Sequence, residues 1–103
     1  MDYVDIVIPR DHPSADGHFP GNPIVPGALL LSEVIRAWEV LMAAPLEQIT
    51  LKVAKFLSPT RHGNTVSIQF ERVNAASVKF NCVVKGTTVL SGSFDYSLTQ
   101  SLP

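Results

Sequence analysis

Apolar residues repeat along this chain with two different periods. Over residues 3 to 8, Val4, Ile6 and Ile8 fall on one side and Tyr3, Asp5 and Val7 on the other, and Pro9 stops the run, so the pattern predicts a first strand. From Pro26 to about Ala43 the period changes. Leu29, Leu30, Leu31, Val34, Ile35, Ala37, Trp38, Val40, Leu41 and Met42 leave only Ser32, Glu33, Arg36 and Glu39 as polar positions, which predicts a helix ended by Pro45. A helix that is apolar nearly all round is expected to be buried. Four more strands are predicted at 49 to 56, 65 to 73, 77 to 84 and 87 to 98, the last long enough to bend at Gly92. Turn-rich residues 57 to 64, then Asn74-Ala75-Ala76 and Lys85-Gly86, separate them. Strand, long loop, helix, then four strands with short turns predicts an α+β domain whose last strands form an antiparallel meander. The simplest burial of such a helix is a curved antiparallel sheet of about five strands wrapped around it.

The long loop carries the chemistry. Gly17-His18-Phe19-Pro20-Gly21-Asn22-Pro23-Ile24-Val25-Pro26-Gly27 runs directly into the apolar helix. Prolines at 20, 23 and 26 fix φ and remove donors, while Gly17 and Gly21 permit turns, so the segment is expected to be a rigid, irregular loop. Pro26 suits a helix start, where its missing N–H costs nothing. His18 is then a base on stiff backbone, beside a helix N-terminus whose free N–H groups favour an anion or a polarised carbonyl oxygen. A base beside an oxyanion site is half of an acyl-chemistry apparatus. Equally open on these residues alone is a proline-rich connector whose histidine merely packs.

Composition narrows the classes. The chain has 103 residues, 46% hydrophobic and 17% charged, with a net charge of −1, as expected of one compact soluble domain spanning 1–103 with 99–103 as a frayed tail. So small a core gains from pairing with a second copy. The Lys and Arg residues form no run, which argues against nucleic acid or an anionic membrane as partner. Cys82 shares its side of a strand with Val78, Phe80 and Val84 and is expected to be a core residue. Acids at Asp2 and Asp5 in place of a basic leader predict a cytoplasmic protein. No cofactor motif is present, and Asp11, His12, Asp16 and His18 match no familiar metal-ligand spacing, so neither a cofactor nor a metal is expected. His12 and His62 are expected to be loop histidines.

The stretch from Gly17 to Pro23, followed by Val25-Pro26-Gly27 and an apolar helix, resembles the signature of the FabA/FabZ-type β-hydroxyacyl-acyl-carrier-protein dehydratases of fatty-acid synthesis. That resemblance implies the hot-dog fold, and it implies His18 as the base that removes the α-proton of a (3R)-3-hydroxyacyl thioester. It further implies substrate binding around Phe19, Pro20, Gly21, Pro26, Gly27 and Ala28, with the N–H groups at the helix start holding the thioester carbonyl. An acyl-carrier protein or CoA thioester is the implied partner. Family members pair through an edge strand, and each site takes its histidine from one chain and its helix acid from the other. A homodimer or higher homo-oligomer is therefore expected, with a heterodimer as the other possibility.

One position departs from the pattern. The family's helix acid falls five residues after the glycine of the Pro-Gly pair, which here is Ser32. A hydroxyl is too weak an acid to replace a carboxylic acid, and losing a positioned general acid typically costs about 10²- to 10⁴-fold in rate. Glu33 is the candidate to compensate, but one helical residue is a rotation of about 100°. It could equally pair with Arg36, which stands where many relatives carry a glutamine; Arg36 in turn could bind an acidic substrate group or pair with Glu39. Three readings follow: a hydro-lyase with His18 as base and Glu33 or Ser32 in the acid role; a non-catalytic acyl-thioester-binding partner of an active hot-dog subunit; and a hot-dog thioesterase in which Glu33 activates water.

Overall fold

A computed structural model describes residues 2–8 and 25–99. The elements are β1 (Asp2–Val7), α1 (Gly27–Met42), β2 (Leu46–Phe56), β3 (Thr65–Asn74), β4 (Ser77–Val84) and β5 (Thr87–Leu98). All five strands join one antiparallel sheet in the order β1-β3-β4-β5-β2.

That order corrects the expected meander. Strands β3, β4 and β5 do follow one another, but β2 lies at the far edge against β5 instead of beside β3. Its connection to β3, residues 57–64, therefore passes across the end of the sheet. Three strand spacings amount to about 14 Å, and eight residues reach up to roughly 26 Å, so the crossing is within the chain's span. Backbone bonds hold it there: the N–H of Leu57 donates to the Val89 carbonyl at 2.9 Å and the N–H of Gly63 to the Ile8 carbonyl at 2.8 Å.

Helix α1 lies against the sheet through Leu30, Val34, Ala37 and Trp38, all buried. Trp38 is central, with its ring 4.9 Å from Phe70 and 5.6 Å from Tyr96. Inward positions of the sheet complete the core with Val66, Ile68, Phe80, Cys82, Leu90 and Phe94. Cys82 is fully buried, as its strand neighbours predict, and desolvation pushes its thiol pKa up to about 12.

The helix is not buried all round, contrary to expectation. Ala28, Ser32, Arg36 and Val40, spaced by four, form an exposed stripe along it, and Val40 is 71% exposed. The sheet of one chain covers only the opposite flank. Helix termination is also local: Ala43 adopts φ 55°, and its N–H caps the carbonyls of Glu39 and Val40 before Pro45 is reached. The Glu39 carboxylate accepts from the Leu46 N–H at 2.8 Å, tying the helix end to the start of β2.

Sheet curvature is set at Gly92. There β2 crosses β5 so closely that a Cβ would collide with the Val53 carbonyl oxygen and lie 2.7 Å from the Phe80 ring, and the β2 register shifts between Leu51 and Val53. Lys85 and Gly86, both at positive φ, close the β4–β5 hairpin. The N–H of Thr99 bonds the Pro45 carbonyl at 3.0 Å, so the expected fray does not include Thr99; residues 100–103 lie outside the described residues. Among the described residues, no helix is long and apolar enough to cross a membrane.

Candidate active site

The two ends of the histidine loop are fastened to one short segment. Ile8 accepts from Gly63, and Val25, at the loop's other end, donates its N–H to the Thr60 carbonyl at 2.7 Å. Between these anchors lie the only two buried polar side chains among the described residues, Thr60 and His62. His62 was expected as an ordinary loop histidine; it does sit in a loop, but only 6% exposed. The motif residues His18, Phe19, Pro20 and Gly21 themselves lie outside the described residues.

The helix start is described. Pro26, at φ −59° and ψ 141°, is the residue before the first turn, and its carbonyl accepts the N–H groups of Leu29 and Leu30 at 3.1 and 3.2 Å. Gly27 and Ala28 precede any intrahelical acceptor, so their N–H groups point outward along the axis. Among the described residues no side chain caps them, and the first turn holds no acid that would compete for them. The Phe56 ring lies over Gly27, so that a Cβ there would come within 2.6 Å of Phe56 Cε1 and the half-exposed ring would have to swing aside. A donor pair open at a helix N-terminus, with its dipole behind it, is suited to a thioester oxygen gaining charge.

Four residues further on, Ser32 borders an apolar cavity of about 150 Å³ between helix and sheet. Leu31, Val34 and Ile35 line its helix side, and Ile49, Leu51, Phe80 and Phe94 its sheet side. Ser32 is its one polar residue, and the hydroxyl donates to the Leu29 carbonyl at 2.8 Å. Among the described residues no carboxylate lines this cavity. Glu33 instead meets Arg36 at 3.5 Å, in an ion pair whose Arg36 side chain is 75% exposed. Arg36 thus pairs with Glu33 and not with Glu39, whose carboxylate accepts from the Leu46 N–H.

The site residues thus divide by location. The helix start and Ser32 lie on or beside the exposed stripe, Glu33 is turned to Arg36, and the histidine loop is tethered at both ends close to the helix start. Sequence reasoning missed the cavity walls Ile49, Leu51, Phe80 and Phe94 and the cover over Gly27 provided by Phe56. Their only sequence signal was apolarity at alternate strand positions, which every inward residue shares.

The family model for ApeI-like proteins, described as ApeI dehydratase, matches residues 3–93. The 3-hydroxyacyl-[acyl-carrier-protein] dehydratase FabZ of Caulobacter vibrioides is 34% identical over 86 residues, covering 73% of this chain and 54% of the relative. The chain accordingly spans about half the length of the curated relatives it matches. Among solved structures, the dehydratase heterocomplex ApeI:P of Xenorhabdus doucetiae superposes with a TM-score of 0.77 at 20% identity, over 91% of this chain and 84% of that one. A putative thioesterase of Prochlorococcus marinus superposes with a TM-score of 0.62 at 15% identity, over 93% of this chain and 78% of that one. These likenesses establish the hot-dog fold that the sequence resemblance implied. With the match over residues 3–93, they make the chain a member of the ApeI-like, FabZ-related dehydratase family.

Proposed function

We propose that the chain is a FabZ-like dehydratase subunit acting on (3R)-3-hydroxyacyl thioesters of an acyl-carrier protein or CoA, in fatty-acid or related acyl-chain synthesis. In this reaction a base takes the α-proton, the electron pair forms the α,β double bond, and the 3-hydroxyl leaves as water with a proton from an acid. His18 has the chemistry for the base, and the Gly27 and Ala28 N–H groups for the thioester oxygen. The observation that carries the reading is the open helix start, uncapped and four residues from an apolar cavity suited to an acyl tail.

The acid is the incomplete part. Ser32 borders that cavity and Glu33 is paired with Arg36, so in a homodimer both sites would lack a carboxylic acid. The exposed stripe 28/32/36/40 and the edge of β2, unpaired by any described strand, offer a face for a second chain. A hot-dog partner carrying Glu or Asp at the position of Ser32 would supply the acid to the site holding this chain's His18. The ApeI:P structure is, by its description, a heterocomplex.

The test is product analysis by mass spectrometry with a 3-hydroxyacyl thioester. The reading expects loss of water, abolished by His18→Ala and increased by Ser32→Glu. Release of free acid and thiol instead would identify a thioesterase, and inertness of both wild type and Ser32→Glu would leave only acyl binding.

A further inference from the structure

The cavity beside Ser32 has an inner end. Phe80 and Phe94, on the central strands β4 and β5, are both buried, with rings 5.9 Å apart and inclined at 40°. Both are almost wholly withdrawn from solvent, so they form the floor of the cavity. The opposite end is open: Ser32 is exposed, and Ile49 and Leu51 on the edge strand are 42% and 47% exposed. The space between is about 150 Å³ and almost wholly apolar.

That volume bears on substrate class. A dry apolar cavity of about this size holds a benzene-sized guest, or about six carbon atoms. Longer tails would have to displace Phe80 or Phe94 from a close-packed core, at a cost typical of overpacking. We infer that this chain selects short acyl thioesters, with no more than about six carbons beyond the reacting C1–C3 unit, and that Phe80 and Phe94 set the limit. The inference rests on the dehydratase reading for the orientation of the acyl group, tail inward and thioester toward the helix start.

Calorimetric binding of saturated acyl-CoA thioesters to the purified protein separates the length limit from catalysis. Affinity is expected to rise about fourfold for each added methylene and to stop rising or fall beyond about nine carbons. Phe80→Leu shortens the floor and should move that break outward by at least about two carbons. If this core variant fails to fold, Leu51→Trp at the half-exposed mouth offers a second reading, because it should abolish the length dependence by filling the cavity. Affinity that climbs without a break to roughly fourteen carbons in the wild type, or a break that neither folded variant moves, overturns the inference. A break in binding with no dehydration by either the wild type or Ser32→Glu would refute the dehydratase reading and leave the length limit standing, whereas dehydration without a break would do the reverse.

Discussion

Replacing Ser32 by glutamate tests the chemistry at the position where the motif's resemblance implies an acid. In the structure the Ser32 hydroxyl spends its only proton on the Leu29 carbonyl, 2.8 Å away, and among the described residues no other polar side chain borders the cavity. In a pair whose second chain covers the mouth of the cavity, a glutamate there would hold its carboxyl against apolar surroundings, where desolvation disfavours the anion. A positioned general acid contributes about 10²- to 10⁴-fold, equivalent to about 3–5 kcal/mol of barrier. Stability should hardly change, since the position is exposed and glutamate is a slightly better helix former than serine. The assay is the initial rate of enoyl thioester formation, with thermal melting to confirm folding. Glu33→Gln is the control: its carboxylate faces Arg36 at 3.5 Å, so the rate should stay within about twofold of wild type. A folded Ser32→Glu protein with no gain, or a Glu33→Gln protein that loses about a hundredfold, would refute the assignment of the acid position to residue 32.

Three other outcomes follow from particular contacts. Gly92→Val should cost about 3 kcal/mol or more in chemical denaturation, because its side chain must push β2 away at Val53; an unchanged midpoint would show that β2 does not cross as closely as described. Ser77 Oγ donates to Asp95 at 2.6 Å, and this bond, helped by Lys52, holds the carboxyl below its ordinary value of 3.8. The associated stability is present above the unfolded-state value and lost as pH falls through the lower folded one. Ser77→Ala should therefore raise the Asp95 pKa in an NMR titration and weaken the fall in melting temperature below about pH 4. Lysine at both Leu51 and Val53 should weaken self-association at least tenfold by light scattering, if β2 is the pairing edge; a wild type that is monomeric at high concentration would contradict that edge.

Much of the fold was legible because local and global preferences agree in this chain. Alternation located β4 and β5 at the residues where they occur, and the apolar run located α1 to within a residue at either end. Gly92 was readable as a bend because a glycine inside a long strand has few other uses. Strand order was not legible: alternation states which face a residue occupies and not which strand lies beside it, and the 57–64 connection has the length of a loose turn as well as of a crossing. The site divided in the same way. Proline, glycine and histidine in fixed order announced the loop and helix start, while the direction taken by Glu33 depends on an ion pair that the i, i+3 spacing permits but does not require. The tethering of both loop ends to residues 60–63 left no sequence signal, since it is made by backbone atoms.

The partial exposure of α1 ties these strands of argument together. Its sequence is apolar over most of the circumference, yet one chain buries only the Leu30, Val34, Ala37 and Trp38 flank. Beside the uncovered stripe runs β2, an edge strand with Ile49, Leu51, Val53 and Phe56 exposed and its outer backbone groups unpaired by any described strand. An isolated chain would keep this apolar surface and an open strand edge in water together, a combination that favours association. On the proposed pairing, the helix pattern encodes two burials, one against its own sheet and one against a second chain. Ser32 sits in the middle of the stripe that the second chain would approach. The residue that decides whether this chain has its own acid is then also a residue that meets the partner, so loss of the acid and choice of partner become one structural question. A carboxylate arriving from a different hot-dog chain would answer both, since it would complete the site of a subunit that retains His18.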